Sequence, residues 1–260
     1  MQPDDMPVAW VTGASSGLGR SLALQLADNG TLVIASARGG AALDTLAEAS
    51  PNIRPLPCDI TDEDGLQTVA SRLGEISPRL DQVILNAGTC EYLDFPEPDW
   101  GAVRRVMEVN FFGTVNCVRL ALPLLRAGRQ PLLAIVGSQV TAAPFPRAEA
   151  YGASKAALQY FSDSLRMDLA AENIRVKVID PGFVDTPLTQ KNDFDMPFLM
   201  SADEAARRIV DNMQSNSRRF RFPRRLSLLL SLSSWMPGLW QKAVAPKQVS
   251  FPTDTSRDNT

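Results

Sequence analysis

Val8-Ala-Trp-Val-Thr12, Gly13-Ala-Ser-Ser-Gly17-Leu-Gly19 and Ser21-Leu-Ala-Leu-Gln-Leu-Ala27 follow one another almost without a break. The first run is short and apolar, as a buried strand is, and the last repeats its leucines at helical spacing. The glycine-rich turn between them lets the backbone approach a ligand closely. The free N–H groups and positive dipole end of the helix that follows favour an anion such as a diphosphate. Asn29-Gly30 ends the helix and Thr31-Leu-Val-Ile-Ala35 supplies a second strand, so the stretch reads as a βαβ unit.

Working outward, the alternation continues. Helices are expected near 41–49, 62–73, 100–109 and 111–125, and strands near 53–58, 82–85, 132–136 and 175–179. Thr61 to Asp64 reads as the cap of the second of these helices. Strands alternating with helices over this length predict a Rossmann-type, doubly wound, mainly parallel sheet of seven strands flanked by helices. In such a sheet ligands collect at the carboxyl ends of the strands. At the end of the second strand the chain reads Ser36-Ala37-Arg38, with no acid before Asp44. An arginine there suits a 2′-phosphate, so the sequence leans to NADP(H) over NAD(H); a solvated loop arginine is the bland alternative. Asp59, at the end of the third strand, is placed for a polar contact to adenine.

Composition narrows the chemistry. Among 260 residues there is no histidine, which removes Ser-His-Asp and Cys-His nucleophile systems and histidine-metal sites together. Cys58, Cys90 and Cys117 are far apart and read as free thiols, with no metal site. A net charge of −3 argues against a nucleic-acid binder. No basic, apolar leader opens the chain and no apolar run is long enough to span a bilayer, so a cytoplasmic location is expected.

Acid/base work therefore falls to other groups, and Glu149-Ala-Tyr151-Gly-Ala-Ser-Lys155-Ala-Ala-Leu158 holds two of them. Tyr151 and Lys155 share one side of a helix with Leu158, Leu165 and Leu169, a face that would otherwise be wholly apolar. A cation held beside a phenol lowers its pKa, so a tyrosine with a depressed pKa is expected here.

In combination and in this order, Thr12-Gly-Ala-Ser-Ser-Gly-Leu-Gly19, Asn86-Ala-Gly88, Asn110, Ser138, Tyr151-x-x-x-Lys155 and Pro181-Gly182 with Thr186 resemble the short-chain dehydrogenase/reductase family over about residues 7–225. The resemblance implies that Tyr151 exchanges a proton with a carbonyl or alcohol oxygen while hydride moves to or from a nicotinamide ring. It implies that Ser138 holds that oxygen, that Lys155 binds the nicotinamide ribose, and that Asn110 holds a proton-relaying water. Gly13, Ser15, Ser16, Gly17, Leu18 and Gly19 would border the diphosphate, Asp59 and Ile60 the adenine, Asn86, Ala87 and Gly88 the middle of the cofactor, and Pro181, Gly182, Val184 and Thr186 its nicotinamide end. The segments 110–125 and 150–171 correspond to the helix pair through which the family forms dimers or tetramers, with Ala153, Ala156 and Ala157 permitting close approach. A cofactor-binding protein without turnover is the alternative; intact Ser138, Tyr151 and Lys155 speak against it.

Phe145 and Phe183, together with Leu188, Phe194, Met196, Phe198 and Leu199, lie in the loops expected to cover the nicotinamide, which predicts a bulky apolar, lipid-, steroid- or aromatic-like substrate. The catalytic domain is expected to occupy 1–225, an apolar helical extension 226–249 and a polar tail without fixed structure 250–260. Five arginines between Arg218 and Arg225 adjoin a Leu/Trp stretch whose Leu228, Leu232 and Trp235 share a helical face. That composition over 218–240 is that of an interfacial membrane anchor, and equally of a helix whose leucines cover the core or a partner subunit.

Overall fold

The runs that read as strands are buried on both faces, as parallel strands covered by helices must be. In the computed structural model, which describes residues 6–245, every residue of β1 (Val8–Thr12) and β5 (Leu132–Val136) is buried. The Trp10 indole has no access to water, and its Nε1 donates to Ser36 Oγ at 2.9 Å, which satisfies the one polar atom that burial would otherwise orphan.

The chain runs β1, α1 (Gly17–Asp28), β2 (Leu32–Ser36), α2 (Gly40–Glu48), β3 (Ile53–Pro55), α3 (Leu66–Ile76), β4 (Gln82–Leu85), α4 (Gly101–Met107), α5 (Gly113–Arg126) and β5. It continues with α6 (Glu149–Leu169), β6 (Arg175–Pro181), β7 (Val184–Asp185), β8 (Met200–Ser201), α7 (Ala202–Met213), β9 (Arg219–Phe222), α8 (Arg224–Trp235) and α9 (Pro237–Val244). Seven strands form one sheet in the order β3-β2-β1-β4-β5-β6-β9, every pair parallel, and β7 and β8 form a separate short ribbon. The order reverses direction at β1, which opens a crevice beyond the carboxyl ends of β1 and β4. One apolar core joins α1, α2 and α7 to the sheet, and a second joins α3, α5 and α6 to its other face.

Two local expectations are corrected. The segment Thr61–Asp64 is not a helix cap. Asp59 Oδ1 instead accepts from Thr61 N at 2.9 Å and Thr61 Oγ1 at 2.7 Å, Asp62 accepts from Gly65 N, and the helix begins only at Leu66. The two helices expected around residue 110 are one continuous rod, in which a π-helical turn over Glu108–Phe112 joins α4 to α5. The expected seven-stranded, mainly parallel sheet is borne out, and every pair, including the edge strand β9 on β6, runs parallel. Residues 246–260, including the expected polar tail, lie outside the described residues, as do residues 1–5.

Candidate active site

The sheet brings the sequence-predicted residues to one end. Gly13 to Gly19 follow β1, Arg38 follows β2, Asp59 and Ile60 follow β3, Asn86 to Gly88 follow β4, Ser138 follows β5, and Pro181 to Thr186 follow or end β6. The glycine turn is held by the next strand over: Asn86 Nδ2 donates to Thr12 O at 3.2 Å, and Thr12 Oγ1 accepts from the backbone of Asn86 and Ala87. Gly13 and Gly17 have φ of +68° and +50°, and a Cβ on either would lie 2.8 Å from Ala87 Cα or Thr186 Cγ2. Both the left-handed backbone and the lack of space therefore demand glycine. Ser16 is the N-cap of α1 but its hydroxyl makes no capping bond, and the first turn carries no acid. Ser15 is half-buried beside it. Leu18 and Val184 point into the core, so only their backbones face the crevice. Ile60 is buried, its carbonyl accepting from Asn116 Nδ2 at 3.0 Å. Arg38 and Asp59 are exposed, and the arginine's charge helps hold the Asp59 carboxyl below its usual range after the dominant effect of the Thr61 amide.

Across the crevice, α6 carries Tyr151 and Lys155. Lys155 is 4% exposed; its Nζ donates to Val136 O at 2.9 Å and lies 5.8 Å from the centre of the Tyr151 ring. Ser138, the residue after Gly137 at the end of β5, accepts from Val140 N at 3.1 Å, and its hydroxyl lies near enough to the Tyr151 phenol to pull its pKa down. The phenol, the hydroxyl and the ammonium thus converge on one point beyond β5.

The expected depression of the tyrosine pKa does not hold in this structure. Burial pushes the phenol up to about 12 against the help of Ser138, and the acidic groups Cys90 and Asp180 push the same way. Burial also brings Lys155 down to about 8, opposed by Asp180 and Cys90. Desolvation outweighs the attraction between the two groups because neither has replaced its lost water with a counter-charge in contact. At neutral pH the site holds a neutral phenol beside an ammonium.

Asn110 is wholly buried in the π-helical turn, a common use of such bulges being to re-aim a functional side chain. Its Oδ1 accepts from Thr89 N at 2.8 Å and its Nδ2 donates to Thr89 O and Ser154 Oγ, both at 2.9 Å. The side chain therefore clamps the loop after Gly88 to α6. A Cβ on Gly88 would stand 3.6 Å from Lys155 Nζ, so this loop lies directly against α6.

Sequence reasoning missed four residues. Gln139 is buried; its Nε2 donates to Phe222 O at 2.7 Å and its Oε1 accepts from Ser227, which ties the Ser138 turn to β9 and α8. Asp180, 1% exposed, pairs with Arg219 and Arg221 at 3.2 and 3.4 Å and packs against Gly137. Arg147 holds Asp94 and Asp193 and lies 5.0 Å from the centre of the Tyr92 ring. Tyr92 in turn donates to Asn192 at 2.6 Å and meets Phe194 edge-on. These contacts join the loop after β4 to the segment between β7 and β8. Phe183 meets Phe194 from below, and Phe145 meets Trp240 of α9 at 5.3 Å, so the rim is aromatic on two sides. A polar cavity of about 530 Å³ lies at the opposite, amino ends of β5 and β6, among Arg126, Gln130, Glu172 and Arg175, away from this chemistry. Among the described residues no cluster of acidic or thiol groups could hold a metal, and no helix is long and apolar enough to cross a membrane.

The family model for the short chain dehydrogenases matches residues 7–196. The chain belongs to that family. Among similar proteins, an uncharacterized oxidoreductase of Myxococcus xanthus is 34% identical over 88% of this chain and 92% of its own length. A rhamnolipids biosynthesis 3-oxoacyl-[acyl-carrier-protein] reductase of Pseudomonas aeruginosa is 35% identical over 76% of this chain and 80% of its own. Among solved structures, a short chain dehydrogenase from Burkholderia cenocepacia in complex with NADP superposes with a TM-score of 0.81 at 26% identity, covering 93% of this chain and 98% of that one. The protein is thus an oxidoreductase of the short-chain dehydrogenase family with a Rossmann-type sheet.

Proposed function

We propose that this protein is an NADP(H)-dependent enzyme that interconverts a carbonyl and a secondary alcohol on a bulky apolar substrate. The observation that carries the reading is the convergence of a phenol, a hydroxyl beside it and a buried ammonium at the crevice. The cofactor fits the residues present. The glycine turn leaves backbone N–H groups of α1 without acidic competition, and Arg38, which makes no hydrogen bond to the described chain, stands where a 2′-phosphate would need a cation. A related protein has been solved with NADP. When bound, NADP(H) supplies or takes up the hydride.

The residues divide the remaining work. Tyr151, protonated across the neutral range, gives its proton to the carbonyl oxygen on reduction and takes one from the alcohol on oxidation. Ser138 holds that oxygen, which a hydroxyl does in either direction because it both donates and accepts. Lys155 stabilises the negative charge that develops on Tyr151 as the proton leaves, and would hold the ribose of a bound nicotinamide cofactor. Asn110 contributes by position, keeping the loop after Gly88 against α6. Phe145, Phe183, Phe194 and Tyr92 form the wall that favours an apolar substrate. The relative from Pseudomonas aeruginosa named above is a 3-oxoacyl-[acyl-carrier-protein] reductase, which supports a carbonyl on an acyl group as the substrate class.

The test is NADPH oxidation by the purified chain with a series of aromatic, steroid-like and long-chain ketones set against small polar ones. Wild type should turn over the bulky apolar group. Tyr151→Phe, which removes one oxygen and little volume, should bind NADPH as before and lose about 10²- to 10⁴-fold in kcat. Retention of more than about a tenth of kcat, a loss under ~1.4 kcal/mol, would assign the proton to another group.

A further inference from the structure

Helices α8 and α9 carry a surface that the reaction does not use. Leu226, Leu230 and Ser233 turn inward, spaced i, i+4, i+7, with the leucines against Ala143 and Phe183. The opposite face is also apolar: Leu228 is 66% exposed, Leu229 48%, Leu232 51% and Trp235 85%, and Met236 and Leu239 extend the row into α9. Six large side chains in one continuous row exceed the scattered apolar exposure of an ordinary surface.

Charge marks what covers this face. Arg224 and Arg225 stand one helical turn before Leu228 and Leu229, and Lys242 follows the row at its far end, all three exposed. From residue 212 to residue 245 there are six cations and no carboxylate, in a chain whose net charge is −3. Arg219 and Arg221 are neutralised by Asp180, but among the described residues no carboxylate pairs with Arg218, Arg224, Arg225 or Lys242. Two arginines in the first turn of a helix also oppose its dipole, so their placement does not serve the helix itself. A second copy of the same face would bring the same arginines against each other with nothing to neutralise them.

We infer that the outer face of α8 and α9 docks on an anionic lipid surface, with Leu228, Leu232 and Trp235 entering the headgroup boundary and Arg224, Arg225 and Lys242 meeting lipid phosphates. An apolar row flanked by cations is the pattern of an interfacial helix. The contact is peripheral, since no described helix could cross the bilayer. The docked face lies next to the site: Trp240 Nε1 donates to Pro144 O at 2.7 Å while its ring packs on Phe145 at the crevice rim. The inference stands on the surface alone and does not depend on which substrate is turned over.

The experiment is flotation of the full chain with vesicles of phosphatidylcholine alone and of phosphatidylcholine with phosphatidylglycerol, at low and high salt. Wild type should float with the anionic vesicles at low salt and stay in the dense fraction with the neutral ones. Each cation near an anionic surface contributes about fivefold in partitioning, so Arg224→Gln with Arg225→Gln should weaken binding by roughly 25-fold. Leu228→Ser, Leu232→Ser and Trp235→Ser together should abolish it, with the fold checked by circular dichroism; if that variant fails to fold, the arginine variant and the salt series decide. Wild type that does not float, or that floats equally with both vesicles, overturns the inference. So does a triple serine variant that still floats, or one whose only change is a smaller particle in light scattering, which would make the face a contact between copies.

Discussion

Replacing Lys155 by Met tests the electrostatic reading of the site without any substrate. The lysine titrates near 8 in the fold against 10.5 when solvated, because burial penalises its charge. A folded-state pKa lowered below the unfolded one means that the fold binds fewer protons than the unfolded chain between those two values. Its charge therefore costs stability fully below pH 8, and the cost is gone above 10.5. The shift corresponds to roughly 3 kcal/mol at pH 7, falling to about 1 kcal/mol at pH 10. Met fills nearly the same volume but leaves Val136 O without its donor, a loss of about 1–3 kcal/mol that does not vary with pH. The variant should thus be about as stable as wild type, or slightly more, at pH 7, and clearly less stable at pH 10, the gap between the two proteins moving by about 2–3 kcal/mol. Urea unfolding of both at the two pH values measures it, because effects common to both chains cancel in the difference. Curves that run parallel within ~1 kcal/mol would mean that Lys155 is not desolvated as described, and the account of Tyr151 would fall with it.

Two further outcomes follow from the same geometry. Arg38→Ala should raise the KM for NADPH about 10- to 100-fold with little change in kcat, as expected for one lost charge-assisted contact, and adding Ala37→Asp should shift preference towards NADH; equal KM values for the two cofactors in wild type would refute the assignment. Phe112, Tyr160 and Met167 stand exposed on the helix pair expected to mediate association, so light scattering should find a dimer or tetramer at micromolar concentration that Tyr160→Glu with Met167→Glu dissociates.

What could be read from the sequence was what depends on neighbours along the chain. Strand, glycine turn and helix from Val8 to Ala27 are local, and so is the four-residue step from Tyr151 to Lys155. Leu228, Leu232 and Trp235 were legible as one face for the same reason, but which face turns inward is decided by Leu226 and Leu230 meeting Ala143 and Phe183. The contacts that escaped join distant segments: Gln139 to Phe222, Asp180 to Arg221, and Tyr92 to Asn192. No periodicity records such pairs. The π-helical turn at Asn110 was hidden because the apolar spacing on either side of it is helical.

The direction of the Tyr151 pKa shows why proximity along a helix is a poor guide to electrostatics. From spacing alone, a cation four residues away lowers a phenol's pKa; what decides the sign is how much water each group has lost. Here the Lys155 ammonium donates its hydrogen bond to the Val136 carbonyl, a neutral acceptor. The carboxylate that bears on it, Asp180, is already shared between Arg219 and Arg221. The same two arginines belong to β9, which Gln139 ties to the Ser138 turn. The last strand of the sheet therefore reaches β5 and α6 in two ways: through Gln139 it anchors the turn that carries Ser138, and through Arg219 and Arg221 it pairs the buried carboxylate that bears on Lys155.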